Sequence, residues 1–200
     1  MKIIVIGGTG TIGKAVVKKL SSDHEIIIAS KKNSDFLIDI TDIESIKKMY
    51  EKIKNIDAIA ITTGNVHFAP LLEMTNELYK IGIQSKLMGQ INIVLEGIKH
   101  LNDNGSFSLI SGILNHDPIL SGTSAAIING GIDSFVKSAA IDMPRGIRIN
   151  AISPTILEES LDAYGPYFKG FKPTSSQDVA LSFCKSIEGG QTGQVYKVGY

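Results

Sequence analysis

Tryptophan is missing from these 200 residues, cysteine occurs once, and neither charge sign prevails: 20 Lys and Arg stand against 20 Asp and Glu. Each shortage excludes something. A lone Cys184 cannot close an internal disulfide, which fits a reducing cytoplasm. It lies in the apolar pattern "VALSFCKSI" and reads as a core residue rather than a reactive thiol. A net charge of zero and a pI near 6.9 leave no global field to draw in nucleic acid or an anionic membrane surface. The apolar runs are strand-length and too short to span a bilayer. The opening "MKIIVIGGTG" is interrupted by glycine before it could form a signal-peptide core. Four histidines show no metal-ligand spacing, so no metal is expected. No repeat, low-complexity stretch or linker divides the chain. What remains is an ordinary globular composition, with a length that suits a single domain, 1–200, with a sizeable core.

Strand-like and helix-like segments alternate along that length. "KIIVIG" (2–7), "EIIIAS" (25–30), "IDAIAIT" (56–62), "SFSLIS" (106–111), "IRINAIS" (147–153) and "QVYKV" (194–198) are short, and several are continuously apolar. Strands covered on both faces have that character. Between them, 11–22, 42–53, 75–101, 124–143 and 175–187 carry apolar residues at three- and four-residue spacing. Asp42, Thr75 and Ser175 are placed to cap three of these helices. The alternation predicts a Rossmann-like α/β domain, a doubly wound parallel sheet with helices on both faces. One long stretch, 154–174, is rich in Gly, Pro and aromatics, and reads as an irregular loop able to cover a site.

The first strand runs directly into Gly7, Gly8, Thr9, Gly10, Thr11, Ile12 and Gly13, and a helix opens there. Gly8, Gly10 and Gly13 match G-x-G-x-x-G. Glycines permit the tight turn and the close approach of a pyrophosphate to the backbone, with its charge at the helix N-terminus. Between a first strand and a first helix, in a chain that continues β-α-β, this spacing points to a dinucleotide. An NAD site would place Asp or Glu at the end of the second strand to bind the ribose 2′-hydroxyl. That strand ends instead in Ser30, Lys31 and Lys32, a hydroxyl and two ammonium groups suited to the 2′-phosphate of NADP. NADP is therefore favoured over NAD, with Asp35 as the one carboxylate nearby that could reach a ribose.

With these features in place, the chain resembles the short-chain dehydrogenase/reductase family over nearly its whole length. "GGTGTIG" is similar to the family's cofactor loop. "DIT" (39–41) is similar to its adenine-contacting segment, which implies that Asp39 and Ile40 serve the cofactor. "TTG" (62–64) stands where Asn-Ala-Gly is usual and brings Thr63 and Gly64 with it. "PRGIRINAISPT" (144–155) is close to a family signature, with Thr155 replacing a glycine and with Pro154 and Ile156 carried over to the cofactor site. "TGQVYKV" (192–198) resembles the closing strand. The resemblance implies hydride transfer between a nicotinamide and a small carbonyl or alcohol. It also implies a homodimer or homotetramer through the helices at 75–101 and 124–143, which carry Leu87, Met88, Ile127, Ile128 and Phe135 on more than one face.

The same resemblance exposes a gap. The family uses a Tyr to exchange the proton, a Lys four residues later to hold the ribose and lower the Tyr pKa, a Ser to polarise the substrate oxygen, and an Asn in a water relay. Counting along the chain places Ala125 at the Tyr position, Asn129 at the Lys position and Ser111 at the Ser position. In "SKLMGQINIV", Lys86 stands where Asn is usual. One group of four survives. Ala125 can do no acid–base chemistry, and Asn129 can hydrogen-bond a ribose but carries no charge. Lys86 is the candidate replacement, with Ser111 polarising the oxygen. His67 and His116 follow strands and titrate in a useful range. Tyr164 and Tyr167 lie in the long loop and could fold over a substrate. The leading expectation is an NADP-dependent oxidoreductase. Its rival is a non-catalytic NADP-binding sensor or regulatory protein that kept the cofactor site and lost the chemistry.

Overall fold

The computed structural model describes residues 1–200, and its centre is a single seven-stranded sheet in which every pairing is parallel. The strands are β1 (Lys2–Ile6), β2 (Glu25–Ser30), β3 (Phe36–Leu37), β4 (Ile56–Ile61), β5 (Leu101–Ile110), β6 (Arg148–Pro154) and β7 (Val195–Val198). Their spatial order is β3-β2-β1-β4-β5-β6-β7. The chain winds outward from β1 to β3 and then returns to the other side of β1. The connections therefore diverge between β1 and β4, where parallel sheets open a crevice beyond the strands' C-terminal ends.

Strand periodicity sorts the core into two layers. Ile4 and Ile6 face one side and Ile3 and Val5 the other, and all four are fully buried. The first side receives α2 (Ile43–Lys52), α4 (Gly89–Gly97) and α5 (Thr123–Asp142); the second receives α1 (Thr11–Leu20) and α7 (Ser176–Glu188). Tyr50 of α2 is entirely buried and donates its hydroxyl to the Ile93 carbonyl of α4 at 2.7 Å, so its one polar atom is satisfied. Cys184 is buried within the second layer. No helix is long and apolar enough to cross a membrane.

The three expected caps form. The Asp42 side chain accepts from the Glu44 N–H, Thr75 from Leu78 and Ser175 from Asp178. Three expectations need correction. The helix read over 75–101 is divided into α3 (Asn76–Gly82), a π-helical segment (Ile83–Met88) and α4, and Leu101 begins β5 opposite Ile56. The stretch 154–174 is not uniformly irregular. Pro154 ends β6, and short helical turns follow at Glu158–Ser160, α6 (Leu161–Tyr164) and Gly165–Tyr167. Finally, the sheet gains the two-residue β3, too short to leave a periodic signal.

Candidate active site

The glycine turn works by close packing as well as by openness. Gly7 has φ +84°, and a Cβ on Gly13 would lie 2.1 Å from the Gly7 carbonyl oxygen. Gly13 therefore lets α1 press against the turn, while a Cβ on Gly10 would meet only the Gly7 oxygen, at 3.4 Å. No side chain caps the start of α1. Its first N–H groups are left for an anion, and the helix dipole favours negative charge there. In front of this turn lies a cleft of about 480 Å³, lined among others by Gly7, Thr9, Gly10, Ser30, Lys31 and Lys32. Ile40 and Thr63 also reach it, joined by Asn33, Ile38, Thr62, Asn65 and Ser85, which sequence reasoning missed. Gly8, Thr11, Ile12 and Gly13 shape the turn from behind without lining the cleft.

Two acidic residues behave differently from the sequence expectation. Asp39 does not line the cleft; its carboxylate accepts from the Thr41 N–H and hydroxyl, at 2.9 and 2.7 Å, and pairs with Lys31 at 3.1 Å. These hydrogen bonds and the Lys31 charge hold it below the usual carboxylate range. Asp35 accepts from the Ile28 N–H of β2 at 2.8 Å and does not line the cleft. That leaves Lys31 and Lys32 as the charged side chains on its wall, and Lys32 makes no ion pair.

Next to the cleft is a second cavity, of about 360 Å³. Lys86, Ser111, Ala125 and Asn129 line it together, with Gly64, Pro154 and Ile156 on the same wall. The cleft and the cavity meet where the chain passes from Asn65 to Gly64 and from Ser85 to Lys86. His67 and His116 line neither. His116 instead approaches buried Asp133, with Nε2 3.3 Å from Oδ2. Tyr164 lines the cavity and packs near Phe68, whereas Tyr167 is exposed away from it.

The decisive contacts surround Lys86. Its Nζ donates to the Asn129 Oδ1 and to the Ser111 carbonyl oxygen, both at 2.8 Å. The two residues standing in each other's expected places thus touch, across 43 positions of sequence. Burial disfavours the ammonium and brings its pKa down from the usual lysine value to about 8, although the Asp133 carboxylate pulls the other way. Lys86 sits in the π-helical segment, and its stem lies against Gly64 (φ +141°), where a Cβ would come 2.6 Å from the Lys86 Cγ. Only glycine admits this approach. Gln90, fully buried one turn further on, fixes the segment to β5: its amide donates to the Lys86 and Ile110 carbonyls and accepts from the Ile110 N–H, each at 2.9 Å. The Ser111 hydroxyl is buried and reaches the Ile152 carbonyl at 3.4 Å.

With this geometry established, comparison with known proteins finds consistent likenesses. The family profile described as Enoyl-(Acyl carrier protein) reductase matches residues 12–189. The 3-oxoacyl-[acyl-carrier-protein] reductase FabG of Thermotoga maritima is 24% identical over 180 residues, covering 78% of this chain and 73% of that protein. The L-xylulose reductase of Bos taurus is 23% identical over 180 residues, covering 78% and 71%. Among solved structures, the protein lin1944 from Listeria innocua is 52% identical, with a TM-score of 0.97 and 99% of each chain covered. A small-chain dehydrogenase in complex with NADPH is 25% identical, with a TM-score of 0.89 and coverage of 99% and 96%.

The Gln90 clamp makes a stability prediction. Gln90→Leu keeps the volume but strips the Ile110 N–H of its acceptor and the Lys86 and Ile110 carbonyls of a donor. Stranding buried backbone groups costs about 1–3 kcal/mol each. Urea denaturation should show a lower midpoint with an unchanged slope; an unaltered midpoint would mean that the clamp contributes nothing.

Proposed function

Because this chain belongs to the short-chain dehydrogenase/reductase family, we propose that it is an NADP-dependent oxidoreductase that interconverts a small carbonyl and its alcohol, with Lys86 moving the proton. The observation that carries this reading is the pair of hydrogen bonds from Lys86 to Asn129 and Ser111, at the junction of the cleft and the cavity. Bound in the cleft, the cofactor supplies or accepts the hydride. Gly7 and Gly10 with the uncapped start of α1 would take its pyrophosphate, Lys31, Lys32 and Ser30 the 2′-phosphate, and Ile38 and Ile40 the adenine side. The NADPH complex of the 25% identical dehydrogenase supports the same choice.

The proton follows from the amine. Two of the ammonium's three hydrogens are fixed on the Asn129 and Ser111 oxygens, and the third has no partner within the protein. That hydrogen is free for a substrate oxygen in the cavity, and the Ser111 hydroxyl would polarise the same oxygen by turning from its long contact with the Ile152 carbonyl. A pKa of about 8 lies near working pH, as acid–base catalysis requires. A second reading, a non-catalytic NADP-binding protein, is favoured by one observation: Ala125 provides no phenol.

We further read the chain as a homo-oligomer. Met88, Leu95, Ile127 and Ile141 leave apolar surface exposed on the π-helical segment, α4 and α5, although Ile128 is buried in the chain's own core and Leu87 and Phe135 pack against it. Light scattering at micromolar concentration should give at least twice the chain mass; a monomer would remove this assignment.

Cofactor choice is checked by thermal shift. A ligand that binds only the native state stabilises it by RT ln(1 + [L]/Kd). NADPH should therefore raise Tm more than NADH at equal concentration, and Lys31→Ala with Lys32→Ala should remove most of the difference. Equal shifts in the unmodified protein would overturn the preference.

The proton donor is checked by kinetics. Lys86→Met should lower carbonyl reduction by roughly 10²–10⁴-fold while the NADPH thermal shift persists. Reduction needs the ammonium form, so its rate should be flat below pH of about 8 and fall as pH rises through it; alcohol oxidation needs the free amine and should rise over the same interval. Retained turnover in Lys86→Met would exclude this role. Tight NADPH binding with no turnover on any carbonyl would establish the second reading.

A further inference from the structure

We propose that the cavity beside Lys86 selects an uncharged, compact carbonyl compound carrying a ring, and that Ala125 sets this selection by leaving open the space in which the ring lies. This rests on the proposed oxidoreductase reading, since it takes the substrate oxygen to be held by Lys86.

Charge is the first constraint. Lys86 is the sole charged residue on the cavity wall. It must deliver its free N–H to the reacting oxygen. A carboxylate elsewhere on the same molecule would either compete for that ammonium or lie unpaired against apolar side chains, which is strongly unfavourable. The cavity therefore disfavours keto acids. Polarity is the second. Most of the lining is apolar, and of the side chains beyond Lys86 that can hydrogen-bond, Ser111 donates to the Ile152 carbonyl, the Asn129 oxygen is engaged by Lys86, and the Thr155 hydroxyl is buried without a partner, which leaves Ser160 and Tyr164 at the rim. A polyhydroxylated ketose would set hydroxyls against the apolar lining, which is unfavourable wherever one finds no partner.

Shape is the third. Rings from Phe68, Tyr164 and Phe168 line the cavity with Ile113 and Leu114, and Phe168 packs against the cluster that those two form with Ala125. Phe68 and Tyr164 are tilted at 44° with centroids 6.2 Å apart, offering ring edges and faces to a flat ligand. A volume of about 360 Å³ lies at the small end of the range for ligand sites and matches a compact ring. Ala125 is 3% exposed, and it packs in a cluster with Ile113 and Leu114. Its methyl leaves room that a phenol would take. The amine that holds the oxygen is bonded to Asn129, one turn along α5 from Ala125, so the carbonyl is held next to that room.

The experiment uses the full chain saturated with NADPH and a matched series: acetophenone, its 4-carboxylate, a ketopentose and an acyl thioester of comparable size. Calorimetric binding to the complex with NADP+ and initial rates with NADPH are read separately. Acetophenone should bind and turn over, with the other three at least tenfold weaker in kcat/KM. Ala125→Phe should weaken acetophenone at least tenfold in Kd while the NADPH thermal shift is retained. Ala125→Val, a smaller step, should produce an intermediate loss and serves if the larger variant does not fold. Binding of acetophenone without turnover would uphold the substrate class and remove the oxidoreductase reading. Turnover of the carboxylate or the ketose in preference to acetophenone would overturn the substrate class and leave that reading intact. Failure of acetophenone to bind, or binding indifferent to Ala125→Val and Ala125→Phe, would also overturn the proposal.

Discussion

An ammonium group set into an apolar wall constrains everything around it. Lys86 holds its charge out of bulk water because two oxygens, one backbone and one amide, accept its hydrogens at close range. Neither acceptor is accidental. The Ser111 carbonyl belongs to the residue just beyond β5, whose end is fixed by Gln90, and Asn129 is placed by the long helix α5 packed across the sheet. Loss of either acceptor would leave the charge under-solvated, and loss of the charge would leave both oxygens bare. Gly64, the π-helical segment and Gln90 are all parts of delivering this one nitrogen to one place.

The fold supplies the rigidity that this delivery needs. A parallel sheet buried on both faces has little freedom to shift, and the crevice between β1 and β4 fixes where a dinucleotide can lie. The cleft and the cavity then share a border made of adjacent residues, Gly64 with Asn65 and Ser85 with Lys86. Chemistry placed at that border can involve both occupants without a moving part. The segment after β6 is built of short helical turns and contributes the Tyr164 and Phe168 rings to the cavity.

Much of this was legible in the amino-acid order. Continuous Ile and Val runs announced buried strands, Asp42, Thr75 and Ser175 announced caps, and the glycine turn announced a tight strand-to-helix turn, because each depends on neighbours in sequence. The break of the 75–101 segment was not legible. A π-helical segment has the composition of an α-helix, and its longer hydrogen-bonding step changes where side chains point rather than which residues are used. The tie of Asp35 to Ile28 was equally hidden, as was that of Asp39 to Thr41 and Lys31. A carboxylate's partners are chosen by loop geometry, and in the sequence Asp35 looked available to a ribose and Asp39 to the adenine. The junction of Lys86 with Asn129 could be suspected only by setting two departures from a family pattern side by side; their distance is a product of the tertiary packing.

That junction has a historical side. Against the family pattern the chain resembles, amide and amine have exchanged helices while the charge of the site has stayed the same. Neither half of the exchange can be undone alone without harm. Lysine restored at 129 beside Lys86 would crowd two cations into one enclosure, and asparagine restored at 86 would empty it of charge altogether. The effects of the two positions are therefore strongly non-additive, as expected of residues in direct contact. The two positions therefore have to be changed together if the enclosure is to keep one cation and one amide.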